Sequence, residues 1–233
     1  MAVSTVATIS RQVYGENLLG CSEAEWRTRV DLSAAYHLAS QHGFNEASTN
    51  DFTARVPGEP DRYLVFHFGS AWDEVTASRL LKVDQHGEIM EGKGKIDTAG
   101  FLINRYLHEG CSEPTAAVLH THQTPVSALA TLDSDQFPKL HINNAYFQDE
   151  ILIDEECNGQ YDADAEGSRL SGLIGGGRVL VQQDHGPYVA AESVAVAWWY
   201  LYHLQKVADV AIAALSTGRK LRTCSPQCFC YGV

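Results

Sequence analysis

"TAAVLHTH", residues 115–122, followed at once by "QTPVSALATL", residues 123–132, is the stretch whose reading decides the architecture. A short unbroken apolar run bounded by polar residues reads as a strand buried on both faces, and such strands belong to sheets covered by helices. The next segment reads as a helix, with Pro125 tolerated in its first turn. Residues two apart on a strand share a face, so His120 and His122 project together with Thr121 opposite. Two same-face imidazoles form either a metal grip or a pair of hydrogen-bonded core groups. With ten histidines in 233 residues, the pair alone does not choose between them.

Working outward, "RVLVQQDHG" (178–186) reads as a second buried strand ending at His185, just before a glycine where backbone can turn sharply. Three imidazoles from two strand ends would leave an open position on a divalent ion. His67 in "VFHFG" and His141 in "PKLHINN" are further candidates at strand or loop ends. His37, His42, His86, His108 and His203 fall in helix or turn patterns and read as surface or structural groups.

"SEAEWRTRVDLSAAYHLASQHGF" (22–44) opens with Ser22 and Glu25 in capping-box spacing and places Trp26, Val30, Ala34 and Leu38 on one i, i+4 stripe, which predicts a helix ending at Gly43. Residues 50–92 break into "DFTARV", "RYLVFHF", "RLLKVD" and "EIME" between turn signals, the pattern of neighbouring strands. A helix over 97–109 is expected, capped by Asp97 or Thr98. A further helical segment ends in the glycines 175–177, and a long last helix is stopped by Gly218. Clustered strands interrupted by helices predict a mixed sheet with helices packed on it. The chain divides into an arm (1–20), one domain (21–218) and a cysteine-containing tail (219–233).

A formal charge of −12, with no local run of lysine or arginine, argues against nucleic acid and anionic membranes as partners. No stretch approaches the roughly 20 apolar residues of a spanning helix, and the N-terminus has no basic, signal-like start. Cys21, Cys111 and Cys157 are scattered, while Cys224, Cys228 and Cys230 crowd the tail in a spacing that fits no common zinc pattern. Free thiols in a reducing, cytoplasmic compartment are the expectation.

With "HTH" and "DHG" both placed, the sequence resembles the class II aldolase/adducin superfamily from about residue 27 to 216. The series "HGFNEASTNDFTAR", "FHFGSAWDEVTASRLLKVDQHGEIMEG", "TAGFLINRYLHEG", "AAVLHTH", "AYFQDEILIDEE" and "VLVQQDHGPYVAAESVAVAWWYLYHL" runs colinear with it. The wording is similar to the adducin-like branch, and the chain also resembles the non-heme iron oxygenases that shorten prenylated phenylpyruvates in aminocoumarin pathways. The resemblance implies a three-layer α/β/α domain with a central, largely antiparallel mixed sheet, assembled as a homotetramer. It also implies one divalent ion, Zn2+ or Fe2+, on His120, His122 and His185, and substrate contacts from Asn50, Gly69 and Ser70.

Two departures from the sugar-phosphate aldolases bear on chemistry. Their Gly-Asn phosphate loop is replaced by Thr49 and Asn50 with Asp51 next, and an added carboxylate disfavours a phosphosugar. The position of their acid/base glutamate falls near Gly100, with Asp97 the nearest carboxylate. Proton transfer is therefore assigned to His141 or Asp51, with Tyr146 as an outside candidate, although these read equally as loop, turn and core residues. Phe66, Phe68 and Trp72, if they line the pocket, predict a substrate larger and less polar than a sugar phosphate, from a specialised pathway. Three functions follow: a metal-dependent lyase acting next to a carbonyl, an iron(II) oxygenase or decarboxylase of a 2-oxo or 2-hydroxy acid, and a non-catalytic adducin-like interaction domain.

Overall fold

The computed structural model describes residues 13–47, 49–111, 115–133, 137–147, 151–156, 162–183 and 185–225. Cys157, Cys228 and Cys230 lie outside the described residues, while Cys21 and Cys111 are not in disulfides.

Helix α1 (Glu23–His42) starts where Ser22 accepts the Glu25 N–H and stops at Gly43, whose φ of 68° lets its N–H reach the Ala39 and Ser40 carbonyls. Strands β1 (Phe52–Val56), β2 (Glu59–Val65), β3 (Leu81–Asp84) and β4 (Ile89–Glu91) form an antiparallel meander. Helix α2 (Thr98–Gly110) is capped by Asp97, which accepts from the Ala99 and Gly100 N–H groups. Then come β5 (Ala117–His120), α3 (Thr124–Ala130), β6 (Ile151–Asp154), α4 (Ala163–Ile174), β7 (Val179–Gln182), β8 (Pro187–Ala191) and α5 (Val194–Leu215).

The eight strands make one sheet in the order β4-β3-β2-β1-β5-β8-β7-β6, antiparallel except for β6 beside β7. Helices cover both faces, as a centrally buried β5 requires. Leu32, Tyr36, Val126, Leu201 and Leu204 of α1, α3 and α5 pack with Ala117, Leu119, Val179 and Val181. Ile103, Leu107, Leu170 and Ile174 of α2 and α4 pack on the other side with Val118, Leu180 and Tyr188. The molecule is a three-layer α/β/α sandwich. Helices α2 and α4 approach closely through glycine: a Cβ on Gly167 would sit 2.5 Å from the Tyr106 ring.

Several details differ from the sequence expectation. The buried face of α1 is Glu25, Trp26, Arg29, Leu32, Ala35, Tyr36 and Ala39, whereas Ala34 is exposed and Val30 and Leu38 are only half-buried. An i, i+4 row drifts off a 3.6-residue helix, and the true face includes charges that an apolar count passes over. Glu25 does not close a capping box; it pairs with Arg29 (2.8 Å) and Lys82 (2.9 Å) in the interior. Helix α5 ends at Leu215, three residues before Gly218. Strand β2 leaves the sheet after Val65. Phe66 and Trp72 are buried in an aromatic cluster with Tyr36 and Phe52, so of the three loop aromatics only Phe68 is open to solvent.

Candidate metal centre

β5 ends at His120 and the chain leaves the sheet, so His122 sits on the exit before α3 rather than within the strand. The two imidazoles still converge, with Nε2 atoms 3.2 Å apart. His185 joins them from the β7–β8 hairpin, its ring 4.8 Å from that of His120 and 4.5 Å from that of His122. The three offer ligand atoms within 4.8 Å of one another, the one such cluster of potential metal ligands among the described residues.

The glycine of "DHG" has a steric reason. A Cβ on Gly186 would lie 2.2 Å from the Thr121 carbonyl oxygen, so only glycine lets the hairpin back onto the end of β5. Ser127 Oγ donates to the His185 carbonyl at 2.7 Å, tying the hairpin to α3.

Each imidazole is oriented by what its other nitrogen meets. His120 Nδ1–H donates to the Pro187 carbonyl (3.0 Å), His185 Nδ1–H to Gln182 Oε1 (2.9 Å), and His122 Nδ1 faces the Glu46 carboxylate. This leaves the three Nε2 lone pairs free, those of His120 and His122 facing each other with the His185 ring beside them, an arrangement suited to a metal ion. The His120 ring also stacks on Tyr188 at 4.1 Å. Burial, followed by the neighbouring imidazoles His185 and His122, holds His120 well below the ordinary histidine range, and burial and then His122 bring His185 down to about 4. Both are neutral near pH 7, as ligation needs. The set fits a divalent ion with an open position, though imidazole nitrogen suits zinc and iron alike.

The surroundings gather on one face of the sheet. Asp51, just before β1, accepts the His120 N–H on its backbone carbonyl. Its side chain is half-buried, takes a 2.6 Å hydrogen bond from Asn104 Nδ2 of α2, and fills the space above Gly100, whose Cβ would meet Asp51 Oδ1 at 3.2 Å. Burial first, then the charge of Asp97, pushes the Asp51 carboxyl up to about 8. It is therefore mostly protonated at neutral pH, so it repels a phosphate less than a free carboxylate would. Asn50 is buried, its Oδ1 accepting the Glu46 N–H at 2.7 Å. Asn50 Nδ2 and Asn104 Oδ1 are buried with no partner among the described residues.

The other predicted residues have partners of their own. His141 caps a 3-10 turn (Ile142–Tyr146), with Nδ1 accepting the Asn143 N–H. Tyr146 packs on Trp199 and His203. Gly69 and Ser70 form a turn after β2 with Ser70 N–H on the His67 carbonyl, and His67 lies against Gly94. No hydrogen bond or ring contact joins any of these to the trio among the described residues. Glu46 and Gln182 were missed: neither belongs to a metal-ligand pattern, although Gln182 stands three residues before His185, at hairpin distance.

Residues 30–212 match the family model of the class II aldolase and adducin N-terminal domain. This chain belongs to that family. A Pseudomonas aeruginosa relative named "Putative aldolase class 2 protein PA3430" is 32% identical over 201 residues, 86% of this chain and 76% of its own length. Human beta-adducin is 27% identical over 222 residues, 93% of this chain and 30% of its own. Among solved structures, an aldolase II superfamily protein from Pseudomonas syringae superposes with a TM-score of 0.83 at 30% identity, covering 90% of this chain and 84% of that one. L-Fuculose 1-phosphate aldolase from Glaciozyma antarctica shares the fold, with a TM-score of 0.76 at 20% identity over 96% of this chain and 86% of its own. The class II aldolase fold thus carries the histidine trio at the end of its sheet.

Proposed function

We propose that this chain is a metal-dependent lyase of the aldolase type, which cleaves or forms a carbon–carbon bond next to a carbonyl. The observation that carries the reading is the convergence of His120, His122 and His185, whose ligand atoms lie within 4.8 Å of one another while every Nδ1 is already engaged. In this reading the three hold one divalent ion, Zn2+ or Fe2+. A bound ion of this kind polarises a carbonyl oxygen and stabilises the negative charge that develops on it as the bond breaks.

The proton is handled by Asp51. Its carboxyl stands over Gly100, where the resemblance places the aldolase glutamate, so the carboxyl comes from the start of β1 instead of from α2. Asn104 holds Oδ2 and leaves Oδ1 to exchange a proton with substrate. Asn50 Nδ2 and Asn104 Oδ1, both buried and without a partner among the described residues, are offered to substrate oxygens and hydroxyls. None of the groups in contact with the trio is a cation among the described residues, and Glu46 adds a carboxylate, which favours a substrate without phosphate. Tetrameric assembly belongs to the same reading and is measured by light scattering.

The test is metal analysis of the purified protein, then cleavage assays on β-hydroxy carbonyl compounds with and without phosphate, under air and under argon. Expected are metal-dependent cleavage under argon, preference for the non-phosphorylated compounds, and loss of both metal and activity in His122→Ala. Turnover that consumes oxygen and requires iron would replace the lyase by an oxygenase. A wild type that binds no metal, indistinguishable from His122→Ala, would make this an adducin-like domain without catalysis.

A further inference from the structure

Gln182 stands between a metal-site imidazole and a buried ionic cluster, and its neighbours leave it one orientation. Behind it, Arg169 Nη1 and Nη2 grip both oxygens of Asp154 at 2.8 and 2.6 Å, while Arg169 Nε and Nη2 reach the two oxygens of Glu166 at 2.9 and 2.7 Å. Asp154, Glu166 and Gln182 are all buried. Carboxylates paired with a guanidinium are ionised, and ionised carboxylates only accept hydrogen bonds.

The Gln182 amide meets both carboxylates: Nε2 donates to Glu166 Oε1 at 2.9 Å and to Asp154 Oδ2 at 3.3 Å. Turned over, the amide would set its oxygen against two buried carboxylate oxygens, and a buried like-dipole contact of that kind is expensive. Gln182 Oε1 therefore has to face outward, where it meets His185 Nδ1 at 2.9 Å. An amide oxygen can only accept, so Nδ1 has to carry the proton and the lone pair falls on Nε2.

We propose that Asp154, Glu166 and Arg169, acting through Gln182, are positioning residues that lock His185 in its Nδ1–H tautomer and so present Nε2 to the ion. The inference rests on the metal-site reading above. It also distinguishes the three ligands. His120 takes the same lock from a backbone carbonyl, which cannot reverse, and His122 from Glu46, which is exposed. Only His185 borrows its lock from a side-chain cluster that spans β6 and α4.

Glu166→Gln tests it with almost no change of shape, because a second amide next to Gln182 can donate to Oε1 and release the one-way constraint. Gln182→Met removes the acceptor altogether. Two measurements are made on the full chain: the histidine tautomers of metal-free protein by long-range 1H–15N NMR, and Co2+ titration followed by visible absorption. Expected in the wild type is His185 as Nδ1–H. In both variants the His185 tautomer mixes or inverts while His120 is unchanged, and Co2+ binding weakens roughly 10- to 100-fold.

Folded variants in which His185 keeps its Nδ1–H form, with Co2+ affinity within about twofold of wild type, would overturn the proposal. Should Gln182→Met fail to fold, Glu166→Gln alone decides. If wild type binds no Co2+ while the His185 tautomer still responds to Glu166→Gln, the metal reading falls and the lock stands, so the two failures are distinct.

Discussion

At the scale of single residues, the three histidines differ in how they could be read. The i, i+2 spacing of His120 and His122 and the glycine after His185 are written in local sequence, although His122 lies beyond the end of β5 and meets His120 through the chain's exit from the sheet. Glu46 and Gln182 orient two of the imidazoles yet belong to no metal-ligand pattern, because Glu46 comes from the segment after α1 and Gln182 meets His185 through the fold-back of a hairpin. Asp51 was legible as a candidate, whereas its position over Gly100 depends on β1 lying beside β5. Gly186→Ala forces its methyl against the Thr121 carbonyl, and we expect a loss of about 1–3 kcal/mol of stability by urea denaturation together with weakened Co2+ binding. Unchanged Co2+ affinity in that variant would show that the close approach does not shape the site. Asp51→Asn keeps the shape and removes the exchangeable proton. It should lower kcat for bond cleavage at least about a hundredfold while metal content stays at the wild-type level; equal loss of metal would make Asp51 a structural support.

At the scale of elements, strands and helix limits followed from turn residues and caps, and most were placed within a few residues. Helix α1 is the instructive failure, since two of its seven buried residues, Glu25 and Arg29, are charged. Glu25, Arg29 and Lys82 lie in the interior and satisfy one another, with Arg29 also reaching the Leu80 carbonyl at 2.8 Å. A buried charge is invisible to hydrophobic periodicity because its partner, fifty-seven residues away, is unknown from sequence. Lys82→Met leaves Glu25 with one cation and should cost about 3–5 kcal/mol by equilibrium unfolding. The Glu25→Gln, Lys82→Met double variant should cost clearly less than the two single changes added together. Strict additivity would mean that the pair does not interact.

At the scale of the whole molecule, buried histidine couples stability to pH. His108 of α2 is buried, bonded to Thr53 Oγ1 at 2.9 Å, and desolvation, then the charge of Arg55, lowers it to about 3. The unfolded chain takes up that proton near pH 6.5 and the folded chain does not, so the contribution is complete above 6.5 and shrinks as pH falls toward 3. The slope from this one group is roughly 1.4 kcal/mol per pH unit. His108→Gln should flatten the acid limb of the stability curve by that amount, measured as the difference between wild type and variant from pH 4 to 6.5. Parallel curves would show that His108 already shares its proton in the folded state.

The row of groups beside the trio has one more consequence. Asp51 at β1, His120 at β5, Tyr188 at β8, Gln182 at β7 and Asp154 at β6 come from five adjacent strands, at one end and on one face of the sheet. A slip of one residue in any of these pairings would turn that strand's contribution to the opposite face. If the trio holds an ion as proposed, ion capture favours correct assembly, because the three histidines and the groups that orient them come together only when these strands are aligned. Binding adds about 2.7 kcal/mol to unfolding when free ion is a hundred times the dissociation constant, and a misaligned chain forgoes that gain.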